Sequence, residues 1–82
     1  MDERRLREIT PGRRGWRFVG SIHGRQVRAN VPYLVIARVT TRHYTASGAL
    51  KRVRILRASG VHSEAWEWDG SWKLLASSRQ LP

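Results

Sequence analysis

Apolar and polar residues alternate along the two short stretches that flank His23 and Gly24. A two-residue turn at these positions pairs Ile22 with Arg25, and the same register extends along both stretches. It places nearly all the apolar side chains on one face of the ribbon, as expected of a β-hairpin packed on a core. That face holds Trp16, Phe18, Ile22, Val27, Ala29 and Val31.

A second hairpin is predicted from residues 33–44 and 50–58, which are rich in β-branched residues and show no helical stripe. Residues 46–48 form a three-residue loop in this prediction, with Gly48 in the left-handed conformation. The register then sends four arginines to one face of the ribbon, with Tyr44 beside them. The four are Arg38, Arg42, Arg52 and Arg54.

This predicted arginine face contains one unfavourable contact, because Arg42 lies directly opposite Arg52. Like charges in directly opposed positions destabilise a sheet. A solvated face tolerates such a pair, whereas an anion bound between the two guanidinium groups would make the pairing favourable. The pattern leaves both readings open, a solvated face and a binding face.

Three of the four tryptophans fall within seven residues, around an Asp-Gly pair. If the Asp-Gly pair alone formed a turn, Trp66 and Trp72 would not face each other. A three-residue loop over 68–70, with its glycine left-handed, pairs Trp66 with Trp72 and sorts the apolar side chains better. In this register Trp66 and Trp72 are a core pair, and Trp68 lies at the turn tip as a candidate for stacking on a ligand.

The pattern amounts to six short strands joined mostly by tight turns, within residues 15–76. We expect a small all-β domain: a highly curved antiparallel meander, or a partly open SH3-like or OB-like barrel of about five to six strands. Residues 1–14 form a basic N-terminal arm that is either a short helix or disordered. Residues 77–82 form a polar C-terminal tail.

The amino-acid composition indicates the cellular compartment in which the protein is expected. The chain has 82 residues and no cysteine, which excludes disulfides and thiolate metal sites and fits a reducing compartment. No apolar run is long enough to span a membrane, and no signal peptide is visible. We therefore expect a cytoplasmic protein.

The net charge is +10, and it is concentrated in residues 1–57, which hold fourteen Arg or Lys and three acidic residues. A field of this sign attracts polyanions such as nucleic acid, an anionic membrane surface or an acidic protein. Arginine outnumbers lysine 14 to 2, a bias that a GC-rich genome also produces without any function.

No sequence motif points to catalysis or to a cofactor. His62 and Glu64 form an H-x-E, but the P-C-x-x-C that completes a zinc deaminase is missing. The three histidines are scattered and lack the spacing of metal ligands on a helix, so we expect no metal site. Phosphate-binding-loop and RNA-recognition signatures are also absent. The sequence predicts neither an enzyme nor a bound cofactor.

The sequence favours a nucleic-acid-binding module, for DNA or RNA, with low sequence specificity. Arginines of the sheet face would contact phosphates, and exposed aromatic side chains would stack on bases. The predicted contact residues are Arg17, Arg28, Arg38, Arg42, Arg52, Arg54, Tyr44 and Trp68.

The alternative is a protein-interaction module, of the kind found as small phage- or mobile-element-type inhibitors or assembly subunits. Such a module would bind an acidic protein surface with its cationic face. Exposed edge strands and a tryptophan at a turn tip suit this role. A homodimer formed by pairing of edge strands is compatible with either function.

Overall fold

The computed structural model describes residues 17–80, so Trp16 and the predicted arm over 1–14 lie outside the described residues. This part of the chain holds six strands and one helix. They are β1 (Phe18–Ile22), β2 (Arg25–Ala29), β3 (Tyr33–Ile36), β4 (Thr41–His43), α1 (Ala46–Ala58), β5 (Glu64–Trp68) and β6 (Trp72–Ser77).

The strands form two antiparallel sheets. β1 and β2 are a two-stranded hairpin, and the other four strands form a sheet in the order β4-β3-β5-β6. α1 packs on one face of the four-stranded sheet, and the β1–β2 hairpin covers the other face. The described chain is therefore mostly β, as predicted, but it has three layers and neither of its sheets closes into a barrel.

The β1–β2 hairpin confirms the register that the alternation predicts, with Ile22 opposite Arg25 at the turn. His23 and Gly24 have positive φ angles of 52° and 79°. Positive φ at both central residues matches the right-handed twist of the flanking strands in a two-residue turn. Ile22 and Ala29 are buried against the four-stranded sheet, so the apolar face of the hairpin is indeed its core face.

Residues 50–58, predicted as a strand, are helical instead, because α1 spans Ala46–Ala58. Ala49, Val53 and Leu56 recur at the spacing of one helical face and pack on the four-stranded sheet. The remaining faces of the helix are mostly polar or basic, although Ile55 is 48% exposed there. The described residues contain no helix that is both long and apolar enough to cross a membrane.

Both ends of α1 are capped by local hydrogen bonds. The Thr45 side chain accepts from the amide of Gly48 at 3.1 Å, so Gly48 lies in the first turn of a helix and the predicted left-handed loop at 46–48 is wrong. After the helix, the Gly60 amide donates to the third carbonyl before it, and the Val61 amide donates to the Leu56 carbonyl. This pair of bonds is the usual ending for a helix followed by a left-handed glycine.

The predicted strand over 33–44 is divided into β3 and β4 by a bend at 37–39. β4 folds back on β3, with Leu34 opposite Arg42 and Tyr33 opposite His43. The predicted ribbon between residues 33–44 and 50–58 therefore does not form, because β4 pairs with its own predecessor and the chain continues into a helix.

The tryptophan hairpin forms, but in a different register from the predicted one. Trp68 lies opposite Trp72 and Trp66 lies opposite Leu74, with a register shift between Ala65 and Trp66. The predicted Trp66–Trp72 pair is therefore wrong. Gly70 has a φ of 82°, so the left-handed glycine of this turn is confirmed.

Two small cores lie on opposite faces of the four-stranded sheet. Consecutive residues of β3 point to different cores, since side chains alternate along a strand. The helix-side core contains Val35, Ala49, Val53 and Ala65, with Tyr33, Leu56, Leu75 and Ala76 packed around them. The hairpin-side core contains Ile22, Ala29, Val31, Leu34 and Trp72, with Phe18, Val27, Ile36, Trp66 and Trp68 packed around them.

Candidate functional site

Positive charge dominates the described part of the chain, since residues 17–80 hold eleven Arg or Lys and three acidic residues. All three acidic residues belong to the β5–β6 hairpin. Asp69 pairs there with Lys73 at 3.2 Å, and Glu64 pairs with His23 at 2.8 Å. No acidic residue lies on α1 or on β4.

Four cations lie on α1 between residues 51 and 57, with Lys51 and Arg54 on the outer face of the helix and Arg52 and Arg57 on its two sides. Lys51, Arg54 and Arg57 are exposed, because Ala49 and Val53 direct the opposite face of the helix onto the sheet. Lys51 and Arg54 form no ion pair with any described residue. We call this surface, with Arg52 at its side, the helix cation face.

Arg52 differs from the other cations of the helix cation face in its burial and in its nearby ionisable side chain. Its side chain is partly buried, and its Nε atom is buried with no hydrogen-bond partner in the described part of the chain. His43 of β4 lies nearby, and burial together with the Arg52 charge lowers the pKa of this histidine. The His43 ring is held by Thr41, whose Oγ1 lies 2.8 Å from Nε2. A guanidinium without a carboxylate beside a neutral imidazole favours an anionic ligand.

The four arginines predicted to share one face are separated. Arg54 is exposed on α1 and Arg52 lies at the side of that helix. Arg42 is opposite Leu34 of the hairpin-side core, so it emerges on the face of the sheet away from α1. Arg38 lies in the bend after β3. The predicted pairing of Arg42 with Arg52 is wrong, because residues 50–58 are not a strand.

The two other predicted arginines lie in the hairpin layer. Arg17 precedes β1 and Arg28 is opposite Val19 on the outer face of the hairpin, and all three are exposed. The Arg28 guanidinium donates to the Gln26 side chain at 3.2 Å. Because the hairpin and α1 cover opposite faces of the four-stranded sheet, these arginines do not extend the helix cation face.

The two predicted stacking aromatics differ sharply in exposure. Tyr44 is 79% exposed and immediately precedes the cap of α1. Trp68 is partly buried, with its ring centroid 5.6 Å from that of Phe18 and 5.2 Å from that of Trp72. Trp68 therefore joins the two sheets, and the prediction that it projects from the turn tip is wrong.

A groove of about 400 Å³ lies where the β1–β2 turn meets the start of β5. Three segments that are distant in sequence contribute to it. Its lining residues are His23, Ile36, Ala37, Arg38, His62 and Glu64. Of these, sequence reasoning selects only Arg38 as a contact residue. The H-x-E spacing is the one further signal, since alternate residues of an extended segment share a face.

Glu64 is held in the groove by two donors. Its Oε1 atom accepts from His23 Nε2 at 2.8 Å and from Trp66 Nε1 at 3.1 Å. Burial acts to raise the pKa of this carboxyl, but the two hydrogen bonds and the nearby His23 and His62 outweigh it, so the pKa lies below the usual value. Glu64 therefore presents a charged carboxylate in the groove at neutral pH.

His62 is anchored from behind by Ser78. The His62 Nδ1 atom lies 2.6 Å from the buried Ser78 hydroxyl oxygen, which also accepts from the Ser63 amide at 3.1 Å. Since the hydroxyl oxygen accepts from that amide, its own proton is available for Nδ1. In the tautomer in which this proton is donated to Nδ1, the Nε2 atom of the neutral ring carries the hydrogen and is a donor.

Comparison with protein-family models, with curated proteins and with solved structures finds no match for this chain. Among residues 17–80, no group of three or more His, Asp or Glu side chains is arranged to hold a metal ion.

Proposed function

We propose that this protein binds nucleic acid through the helix cation face, by contacts to phosphates that depend little on base sequence. The observation that carries the proposal is that three cations of one 13-residue helix, Lys51, Arg52 and Arg54, have no carboxylate partner among the described residues. Phosphate neutralisation by such residues supplies most of the affinity in non-specific binding.

Arg52 gives the helix cation face a stronger preference for an anion than exposure alone does. Water solvates Lys51 and Arg54 well, whereas the buried Nε of Arg52 has no acceptor. The Arg52 charge also disfavours protonation of His43. A phosphate on the outer nitrogens of this guanidinium would offset its charge through charge-assisted hydrogen bonds, which are about twice as strong as neutral ones.

Tyr44 extends the proposed contact from phosphates to bases. Its ring is 79% exposed, and it lies at the N-terminal end of the helix that carries the cations. Stacking of a base on an aromatic side chain contributes about 1–3 kcal/mol and requires a base outside the duplex. We therefore expect single strands to bind more tightly than duplexes of the same length.

The salt dependence of binding tests the helix cation face. In the variant Lys51→Glu/Arg54→Glu, both changed positions are exposed, so the fold should persist. Anisotropy titrations with a labelled mixed-sequence duplex, between about 50 and 200 mM salt, give the slope of log affinity against log salt. The slope is negative, and each lost phosphate contact lowers its magnitude by about 0.9. We therefore expect the magnitude of the slope to be smaller by nearly 2 in the double variant.

The matched control is Arg17→Glu/Arg25→Glu, which changes the net charge equally at two exposed positions of the hairpin layer. We expect this variant to retain most of the slope. Equal losses in the two variants would mean that net charge alone drives binding, and the helix cation face would then not be the site.

Uncovered sheet edges support a second candidate function, pairing with another polypeptide strand. β4 and β6 are the edges of the four-stranded sheet, and Leu74 of β6 is 43% exposed. An edge strand offers unpaired backbone groups to a strand of an acidic partner protein or of a second copy of this chain. Light scattering after nuclease treatment tests the second copy. A dimer that Leu74→Lys dissociates would support edge pairing, and a monomer would count against it.

A further inference from the structure

We propose that the groove between the β1–β2 turn and the start of β5 is a nucleotide-binding site. A phosphate group would lie on Arg38 and His62, and a hydroxyl or N–H donor of the same nucleotide would bind Glu64. No residue of α1 lines the groove, so this site is independent of the helix cation face.

Two side chains of the groove are donors suited to phosphate. Arg38 lies exposed in the bend after β3 and forms no hydrogen bond or ion pair with any described residue. Its planar guanidinium matches the spacing of phosphate oxygens. His62 supplies a second donor, Nε2–H, in the tautomer in which the Ser78 hydroxyl, 2.6 Å from Nδ1, donates to that nitrogen. Both residues line the same groove.

The negative charge of Glu64 restricts which phosphate compounds fit the groove. Its Oε1 atom is occupied by His23 and Trp66, while Oε2 has no hydrogen-bond partner among the described residues. A carboxylate repels a bare phosphate but binds hydroxyl and N–H groups well. A ligand that carries both a phosphate and such donors uses every polar group of the groove. Nucleotides have this combination in their ribose hydroxyls and base N–H groups.

His23 reaches the groove from a turn position with a left-handed backbone. Its φ of 52° is one that few residues other than glycine adopt. Asparagine or glycine suits this turn position better than histidine does. The His23 ring is fixed by its bond to Glu64 and by an edge contact with Trp66, at a centroid distance of 5.3 Å.

The size of the groove fits this class of ligand. Its volume of about 400 Å³ falls within the range of roughly 300–1,000 Å³ found for small-molecule sites. The groove is shallow and widely open to solvent. It can therefore take a free mononucleotide or one unit of a longer strand.

The test follows the histidine side chains of the full chain by NMR during titration with 5′-AMP, adenosine and inorganic phosphate. We expect AMP to shift the His62 and His23 ring signals saturably, with weaker effects from adenosine or phosphate alone. Arg38→Gln should weaken both AMP and phosphate binding about tenfold, because a charge-assisted hydrogen bond is lost. Glu64→Gln should weaken AMP binding and leave phosphate binding unchanged or tighter.

Arg17→Gln is the matched control, since it removes the same group from an exposed position outside both the groove and the helix cation face, and it should leave AMP affinity unchanged. Equal losses for Arg38→Gln and Arg17→Gln, or no saturable shift of His62, would overturn the site. A single-stranded trinucleotide distinguishes the two sources of the ligand. Tighter binding than AMP, lost in Arg38→Gln, identifies a strand, and equal binding identifies a free nucleotide. Lys51→Glu/Arg54→Glu tests the helix cation face separately, because it leaves the groove intact.

Discussion

Burial and the nearby charge of Arg52 both act on the pKa of His43. Burial has the larger effect on the pKa of His43 and the Arg52 charge adds to it, and both lower that pKa. The folded protein therefore binds a proton at His43 less readily than the unfolded chain does. The stability that this neutral histidine contributes is fully present above about pH 6.5 and is lost as the pH falls through the folded-state pKa.

Arg52→Gln should raise the pKa of His43 toward its ordinary value, because it removes the repulsive charge and leaves the burial. An NMR titration of the His43 ring measures this change. Arg42→Gln is the control, since Arg42 points to the other face of the sheet and its removal should leave the titration unchanged. If Arg52→Gln does not move the His43 titration, the contact is not electrostatic.

His23→Asn should preserve the β1–β2 turn and remove the contribution of the His23 ring to the groove. Asparagine accepts the left-handed backbone of this turn, so we expect the hairpin to persist. The pKa of Glu64 should rise, because the effect of burial remains while the hydrogen bond from His23 is lost. In the parent protein, Glu64 stabilises the fold at pH values above the ordinary glutamate pKa. This stabilisation is lost as the pH falls through the pKa that Glu64 has in the folded state. A pH titration that follows the ¹³C carboxyl signal of Glu64 measures this pKa, which should be higher in the variant than in the parent protein.

Gly20→Ala should destabilise the contact between the two sheets. A Cβ atom at this position would lie 3.0 Å from ring atoms of both Trp68 and Trp72. Trp72 is buried and donates its indole N–H to the Val27 carbonyl, so it cannot easily move away. We expect a loss of about 1–3 kcal/mol in the free energy of unfolding, measured with urea.

The neighbouring exposed position supplies the control for this substitution. Ser21→Ala changes a solvent-facing residue of the same strand and should alter stability by less than about 0.5 kcal/mol. Equal stability of Gly20→Ala and the parent protein would show that the tryptophans can be displaced without cost.

At the scale of elements, α1 shows how short patterns mislead. Polar and apolar residues alternate from Arg52 to Ile55, which favours a strand. Over a longer window, Ala49, Val53 and Leu56 mark one face of a helix. Isolated helices of this length are marginal in water. Packing of that face on the four-stranded sheet therefore selects the helix over the strand.

Gly60→Ala tests the ending of α1. Gly60 has a φ of 79° and open space around the position of a Cβ atom, so the substitution changes only the backbone energy. The left-handed conformation costs alanine roughly 1–2 kcal/mol, and we expect a loss of about 1 kcal/mol in urea denaturation. Gly60→Asn should lose less, because asparagine tolerates this conformation. An alanine variant as stable as the parent would contradict the capping argument.

The tryptophan hairpin shows the effect of one irregularity on a whole element. The register shift between Ala65 and Trp66 changes which residues of β5 and β6 face each other. Trp68 and Trp72 lie on the turn side of this shift and pair across the loop at 69–71, with ring centroids 5.2 Å apart. Such a shift depends on packing against β3 and the first hairpin, so the local sequence does not reveal it.

At the scale of the molecule, one sheet is shared by both cores. Leu34 and Val35 are consecutive in β3, yet they belong to the hairpin-side and helix-side cores respectively. Loss of either core would expose one face of the same four strands. We therefore expect the two cores to unfold together.

Two spectroscopic probes can test this coupling. Three of the four tryptophans lie in or against the hairpin-side core, so fluorescence reports that side, and circular dichroism at 222 nm reports α1. The two urea transitions should coincide. Val53→Ala, in the helix-side core, should shift both to lower urea by the same amount. A fluorescence transition left in place by Val53→Ala would show that the cores are independent.

The charge distribution also has to be considered for the whole molecule. Cations lie on α1, in the bend after β3 and on the outer face of the first hairpin, so the three layers present positive charge on both outer sides. The net charge of +10 is a property of the sequence. Which of these cations act together is decided by the layer that carries them.

The sequence by itself determined the first hairpin, the mostly β character, the left-handed glycine between the tryptophans and the excess of positive charge. These features depend on neighbours in the chain, since a two-residue turn and strict alternation fix one register. Tertiary structure alone decided that residues 46–58 are a helix, that β4 folds back on β3 and that Trp68 faces Trp72. It also brought His23, Arg38 and Glu64 to one groove from separate segments. The physical reason is that burial against distant partners, which a local pattern does not contain, outweighs the small energy differences between local conformations.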